Sequence, residues 1–180
     1  RSSDLNFSHG ARAHAARLGA RTAGAGPLSI YIHIPFCDTI CYYCACNKIV
    51  TRDHARADAY LDTLLRELAM KAALVKGSKE VAQLHLGGGT PTFLSDAQMT
   101  RLMEGLRSHF RIADSAQCSI EMDPRGVGAS RIAHLGSLGF NRISVGVQDF
   151  DPVVQRAVNR IQTEAQRVDG ELLERIGVPS

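Results

Sequence analysis

The chain has 180 residues, 44% hydrophobic and 22% charged, with a net charge of +3. That is enough apolar content for one buried core and too little charge for wholesale disorder, so a single domain is the default. No block of like charge, aromatic-rich basic stripe, membrane-length apolar run or secretory leader pattern occurs, so neither nucleic acid nor a membrane is expected as a partner, and the cytoplasm is the expected location.

In chain order, residues 1–27 are rich in Ala, Gly, Arg and Ser, lack a sustained apolar stripe and predict a poorly defined lead-in. Ile30, Ile32 and Ile34 alternate with Tyr31 and His33, the period of a first strand. From Asp58 to Lys76, Leu61, Leu64, Leu65, Leu68, Ala72 and Val75 recur at helical spacing, and Gly77 marks a stop. Val81 to Leu86 is a second strand running into glycines. Ser95 with Gln98 forms a capping box opening a helix with Met99, Leu102, Met103, Leu106 and Phe110 on its buried stripe. Cys118 to Met122 is a third strand, and Ile132, Leu135 and Leu138 suit a helix ending at Gly139. Ile143, Val145 and Val147 make a fourth strand, and Asp151-Pro152 starts another helix.

Strand and helix thus alternate about four times, which implies parallel strands joined by helical crossovers, in a barrel or an open doubly wound sheet. Either architecture places ligands at the carboxyl ends of its strands. The unusual residues fall there: a cysteine cluster after strand one, Gly87-Gly88-Gly89-Thr90 after strand two, Glu121 and Asp123 at strand three, Gln148 and Asp149 after strand four. Four loops would converge on one mouth.

Four of the five cysteines, Cys37, Cys41, Cys44 and Cys46, sit within ten positions. Such clustering signals metal or redox chemistry rather than a disulfide framework. Cys37, Cys41 and Cys44 have the spacing CxxxCxxC. Three thiolates on one loop suit an iron–sulfur cube with one iron left open; a zinc knuckle using Cys46, or metal-free thiols, is the alternative. Cys118 reads as a small buried apolar residue, and His85 and His109 as structural. His33 shares a strand face with Tyr31, where a satisfied core histidine is a serious rival to a site role.

Preceded by Tyr-x-His-x-Pro-Phe, CxxxCxxC resembles the radical S-adenosylmethionine (SAM) superfamily, within its coproporphyrinogen-oxidase and heme-chaperone branch. Cys46, where the chaperone pattern has Phe, is similar to the oxidase. So are Asn47–Arg52, Gln83–Thr92, Ser119–Arg125, Phe140–Phe150 and Val158–Asn159–Arg160. The resemblance runs from about residue 28 to 162 and implies a partial TIM-like barrel over 28–165, truncated to about four strand–helix units. Residues 166–180 depart from the pattern and read as a divergent or fragment-end tail.

The resemblance also implies chemistry. Cys37, Cys41 and Cys44 would hold a 4Fe-4S cluster whose open iron binds SAM. Tyr31, Gly88 and Glu121 match contacts to that SAM; Tyr43, Gly89, Thr90, Gln148 and Arg160 match contacts to a second. The implied activity is oxidative decarboxylation of coproporphyrinogen III propionates to vinyl groups, giving protoporphyrinogen IX. A monomer acting on a porphyrinogen with an unidentified electron donor and acceptor is expected. A heme-binding chaperone, a heme-degrading relative and an inactive fragment with a structural metal are the alternatives. No side chain is required as nucleophile or base, and Cys46 is expected to line the site and support turnover.

Overall fold

A computed structural model of the protein describes residues 13–24, 26–125, 127–146 and 149–162. The predicted tail at 166–180 and the end of the predicted fourth strand at Val147 lie outside them.

The lead-in differs from its expectation, for residues 13–22 form a helix, α1. Of its inward positions Ala15, Leu18, Gly19 and Thr22, only Leu18 is large, so the sequence shows no sustained apolar stripe although the spacing is helical. The Thr22 hydroxyl donates to Leu18 O (2.9 Å) and accepts from Lys76 N (3.1 Å), tying α1 to the segment after the next helix.

Then follow β1 (Leu28–Ile34), the short strands β2 (Phe36–Cys37) and β3 (Ile49–Val50), α2 (Arg56–Leu74) and β4 (Glu80–Gly88). A 3-10 turn (Pro91–Phe93) leads to α3 (Asp96–Arg107), β5 (Arg111–Met122), α4 (Ala129–Ser137), β6 (Arg142–Val145) and α5 (Pro152–Ala157). The predicted caps are present. Ser95 and Gln98 form a reciprocal capping box on α3, and Asp151 accepts from Val153 N at the start of α5. The third strand starts seven residues earlier than its apolar pattern, at Arg111 rather than Cys118. Its first half mixes Arg111, Asp114 and Ser115 with Ile112, Ala113 and Ala116, and pairs with β4 through Glu80↔Arg111 and Val81↔Ile112, followed by a register shift. Alternation is blurred across such an irregularity.

The main sheet has the order β1-β4-β5-β6, with every neighbouring pair parallel. Strands succeed each other in space as in sequence, without the reversal of a doubly wound sheet, so this is a segment of a barrel wall. One face is apolar. Ile32, Ile34, Leu84, Leu86, Cys118 and Ile120 are buried there in one core with Leu61, Met99, Leu102, Met103 and Leu106 from α2 and α3. The opposite face is polar, with Ser29, Tyr31, His33, Gln83, His85, Gln117, Ser119, Glu121 and Ser144 exposed or half-buried. Tyr31 pairs with His85, and His85 with Ser119, across three strands. This face corresponds to a barrel interior.

No helix among the described residues is long and apolar enough to cross a membrane.

Candidate active site

The loop after β1 is held at both edges. Phe36 and Cys37 pair with Ile49 and Val50, while Ile49 N donates to Pro35 O (2.7 Å) and Thr51 N to Cys37 O (2.9 Å). Beneath it, Phe36 stacks on Phe93 and meets Tyr60 edge-on, with ring centroids 5.1 and 5.4 Å apart. Its outer edge is fastened by the chain after α5. Tyr42 N donates to Val158 O (3.1 Å), and the Asn159 amide donates to Ile40 O (2.7 Å).

The loops at the carboxyl ends of β1, β4, β5 and β6 enclose a cavity of about 710 Å3, within the range of small-molecule sites. Cys37, Cys41, Cys44 and Cys46 line it, as do Tyr43, Gly88, Gly89, Thr90, Glu121 and Arg160. The structure therefore brings the predicted cysteine trio together with six of the eight predicted cofactor contacts. Tyr31 stands apart, on the polar sheet face, where its hydroxyl lies 3.1 Å from His33 Nδ1 and its ring stacks on His85. Gln148 lies outside the described residues.

Two glycines allow close approach. A Cβ on Gly89 would stand 2.7 Å from Phe36 O, 2.8 Å from Pro35 O and 2.9 Å from Cys37 Sγ. Gly88 has φ +117°, and a Cβ there would lie 2.7 Å from the His33 ring. Only glycine leaves this loop against the cysteine loop.

The cysteine thiols are free, and their surroundings differ. Burial pushes the Cys37 thiol up, partly offset by the Thr90 hydroxyl 3.6 Å away. Burial also acts to raise Cys44, but hydrogen bonds from Cys46 and the Lys48 ammonium outweigh it and leave the thiol below its usual range. Cys46 is raised in turn, chiefly by that bond to Cys44. Arg160 Nη1 lies 3.4 Å from Cys41 Sγ. Cations beside thiolates favour the deprotonated form that binds iron.

Sequence reasoning missed the network behind Cys41. Asp123 takes bonds from Arg125 Nε (3.0 Å) and Nη2 (2.6 Å), and lies 3.3 Å from Arg160 Nη1. Burial would raise this carboxyl, but the Arg125 hydrogen bonds and the Arg160 charge hold it below its ordinary value. Arg125 also donates to Thr39 Oγ1 (3.3 Å). An Asp and an Arg two apart at a strand end were the available signal. Arg160 Nε is buried without a partner among the described residues, a free donor inside the site. His85, expected to be structural, also belongs to the polar face. Its alternation with Gln83 and Gly87 was the available clue. Cys118 is buried among apolar residues, as expected.

The donor set fits an iron–sulfur cube. Cys37, Cys41 and Cys44 line one cavity, and a cube takes one thiolate per iron. Three thiols from one loop satisfy three irons and leave the fourth for another ligand.

A parallel barrel segment whose first strand ends in a three-cysteine loop, packed against a glycine loop at the wall of an open cavity, has the form of a cluster-dependent enzyme domain. Residues 31–177 match the family model of the radical SAM superfamily, and the chain belongs to that superfamily. Membership brings a 4Fe-4S cluster and SAM as cofactors. The chain is 54% identical over 138 residues to the oxygen-independent coproporphyrinogen III oxidase of Escherichia coli (strain K12), which covers 77% of this chain and 30% of that protein. It is 53% identical over 152 residues to the protein of the same name from Pseudomonas aeruginosa, covering 83% and 33%. The solved structure of coproporphyrinogen III oxidase from Escherichia coli, described as a radical SAM enzyme, superposes with a TM-score of 0.82 at 47% identity, covering 89% of this chain and 37% of that one. The chain spans about a third of the length of these relatives.

Proposed function

We propose that the protein to which this chain belongs is an oxygen-independent coproporphyrinogen III oxidase, converting two propionates of coproporphyrinogen III to vinyl groups. The observation that carries this reading is the 54% identity over 138 residues to the Escherichia coli enzyme of that name.

Cys37, Cys41 and Cys44 hold the cluster. Tyr31, Gly88 and Glu121 serve one SAM, and Tyr43, Gly89, Thr90, Gln148 and Arg160 a second. When bound, cluster and SAM would supply one-electron radical chemistry for oxidising the propionate side chain, with carbon dioxide and one electron lost as the vinyl group forms. The chain's own groups do the holding. Glu121 offers carboxylate acceptors, and the buried Nε of Arg160 offers a donor suited to a carboxylate. The half-buried Lys48 places its ammonium 2.8 Å from Cys44 O, adding positive charge beside an anionic cluster. Tyr43 and the glycine loop shape the walls. The reaction needs an electron donor for the cluster and an acceptor for the substrate electron. Thiols that must stay reduced suit the cytoplasm, and a monomer suffices for this site.

The test is an anaerobic assay of the intact protein with coproporphyrinogen III, SAM and a reductant. Protoporphyrinogen IX and two methionines per product are expected. Cleavage of SAM without decarboxylation would remove the substrate assignment while leaving the radical chemistry.

A further inference from the structure

On the polar sheet face, His85 joins three groups. Its Nδ1 lies 2.7 Å from Ser119 Oγ, its Nε2 lies 3.4 Å from Glu121 Oε1, and its ring stacks on Tyr31 with centroids 5.7 Å apart. The partners assign the tautomer. The Glu121 carboxylate can only accept, so its bond to Nε2 needs the proton there, and the Ser119 hydroxyl, which also lies 3.3 Å from Leu84 O, then faces a bare Nδ1. A hydroxyl donating to Nδ1 leaves the proton of a neutral imidazole on Nε2, where it faces the carboxylate. The other Glu121 oxygen, Oε2, accepts from Gly88 N at 3.1 Å.

A separate observation agrees. A Cβ on Gly87 would stand 3.0 Å from Glu121 Cδ, from Glu121 Oε2 and from His85 Nε2. The backbone beneath the pair is bare where the imidazole and carboxylate meet above it.

We propose that His85 is a positioning residue, which with the Gly88 N–H fixes the Glu121 carboxylate so that its remaining lone pairs face the cavity as acceptors for the hydrogen-bond donors of SAM. This rests on the proposed SAM site at Glu121. At 3.4 Å the His85–Glu121 contact is long, a distance that shortens when a ligand draws the carboxylate into place. Groups that orient a binding residue typically contribute about 10- to 100-fold.

The experiment uses the intact protein with its cluster rebuilt anaerobically and reduced. SAM is titrated while the electron paramagnetic resonance of the cluster is followed, which gives a Kd. His85→Phe keeps a ring against Tyr31 but loses both hydrogen bonds; cluster content is expected to hold while Kd rises about tenfold. His85→Gln brings an amide N–H toward the position of Nε2, and its Kd is expected within about threefold of the parent. In a Glu121→Gln background, His85→Phe adds nothing if it acts through Glu121. Parental affinity in His85→Phe, equal losses in His85→Gln and His85→Phe, or multiplying effects of His85→Phe and Glu121→Gln would each overturn the proposal. Should His85→Phe lose its cluster, Ser119→Ala carries the test, with a Kd about threefold higher expected and an unchanged one decisive against it. A parent spectrum indifferent to SAM would instead remove the SAM site itself, and this assignment with it.

Discussion

Arg160 Nη1 and Cys41 Sγ meet at 3.4 Å, although 119 residues separate them. The same guanidinium donates from Nη2 to Gly146 O (2.9 Å) and faces Asp123. One side chain thus joins the ends of β5 and β6 to the cysteine loop. Replacing it with glutamine removes a cation and a donor beside a cluster sulfur. The cluster's reduction potential in Arg160→Gln is expected to become more negative, since positive charge and hydrogen bonds at sulfur favour the reduced state. Potentiometric titration of the intact, reconstituted protein reads this directly.

Asn159 is the residue that turns Arg160 inward. It has φ 54°, the left-handed region that alanine enters at a cost, and its amide holds Ile40 O. Asn159→Ala is expected to lose about 2 kcal/mol, from backbone strain and the missing bond together. Asn159→Gly, which lacks only the bond, should lose about 1 kcal/mol. Equal losses in denaturant unfolding would remove the strain argument.

Gly89 and Gly128 make a matched pair of alanine substitutions. A Cβ on Gly89 meets two backbone carbonyl oxygens, which cannot swing aside, as well as Cys37 Sγ, whereas one on Gly128 meets nothing within 4 Å. Gly89→Ala is expected to cost about 1–3 kcal/mol and to lower the iron bound per chain. Gly128→Ala should leave iron content unchanged.

Asp123 sets an acid limit. Its folded pKa is depressed, so its contribution to stability is complete above the ordinary aspartate value, about 3.9, and is lost as pH falls through the folded value. Its side chain is 12% exposed and bonded to Arg125. Asp123→Ala leaves two guanidiniums uncompensated and is expected to cost about 3 kcal/mol at neutral pH. The difference from the parent should shrink below about pH 3.9, as the parent's own carboxyl protonates. A difference that stays constant down to acid pH would show that the carboxylate's charge is not what matters.

The cysteines divide into three groups. Alanine at Cys37, Cys41 or Cys44 is expected to abolish cluster assembly, measured as iron and sulfide per chain. Cys46→Ser should keep the cluster and lose turnover, because Cys46 lines the cavity and bonds to Cys44. Cys118→Ala, behind the sheet, should cost about 1 kcal/mol and leave both untouched.

Local chemistry made much of this protein legible from its residues alone. Alternating isoleucines in β1, the Ser95–Gln98 box and the Asp151-Pro152 start each act over a few residues, so their outcome follows from neighbours in the chain. The cysteine spacing is equally local, and rules about strand ends were enough to expect four loops at one mouth. Helix α1 escaped notice because its contact face has small residues around a single leucine, and the burial of small residues depends on what lies opposite.

What only the tertiary structure decided is which polar groups face each other across strands. His85 looks like any histidine in a strand until parallel pairing in one register sets it beside Tyr31 and Ser119. Asp123 becomes the link between two arginines only when the segment after α5 folds back onto the cysteine loop. Hydrogen bonds and ion pairs act over a few ångströms of space whatever the separation in sequence. A pattern along the chain could therefore point to the cysteine trio proposed as cluster ligands, but not to the polar groups that tertiary folding sets around it.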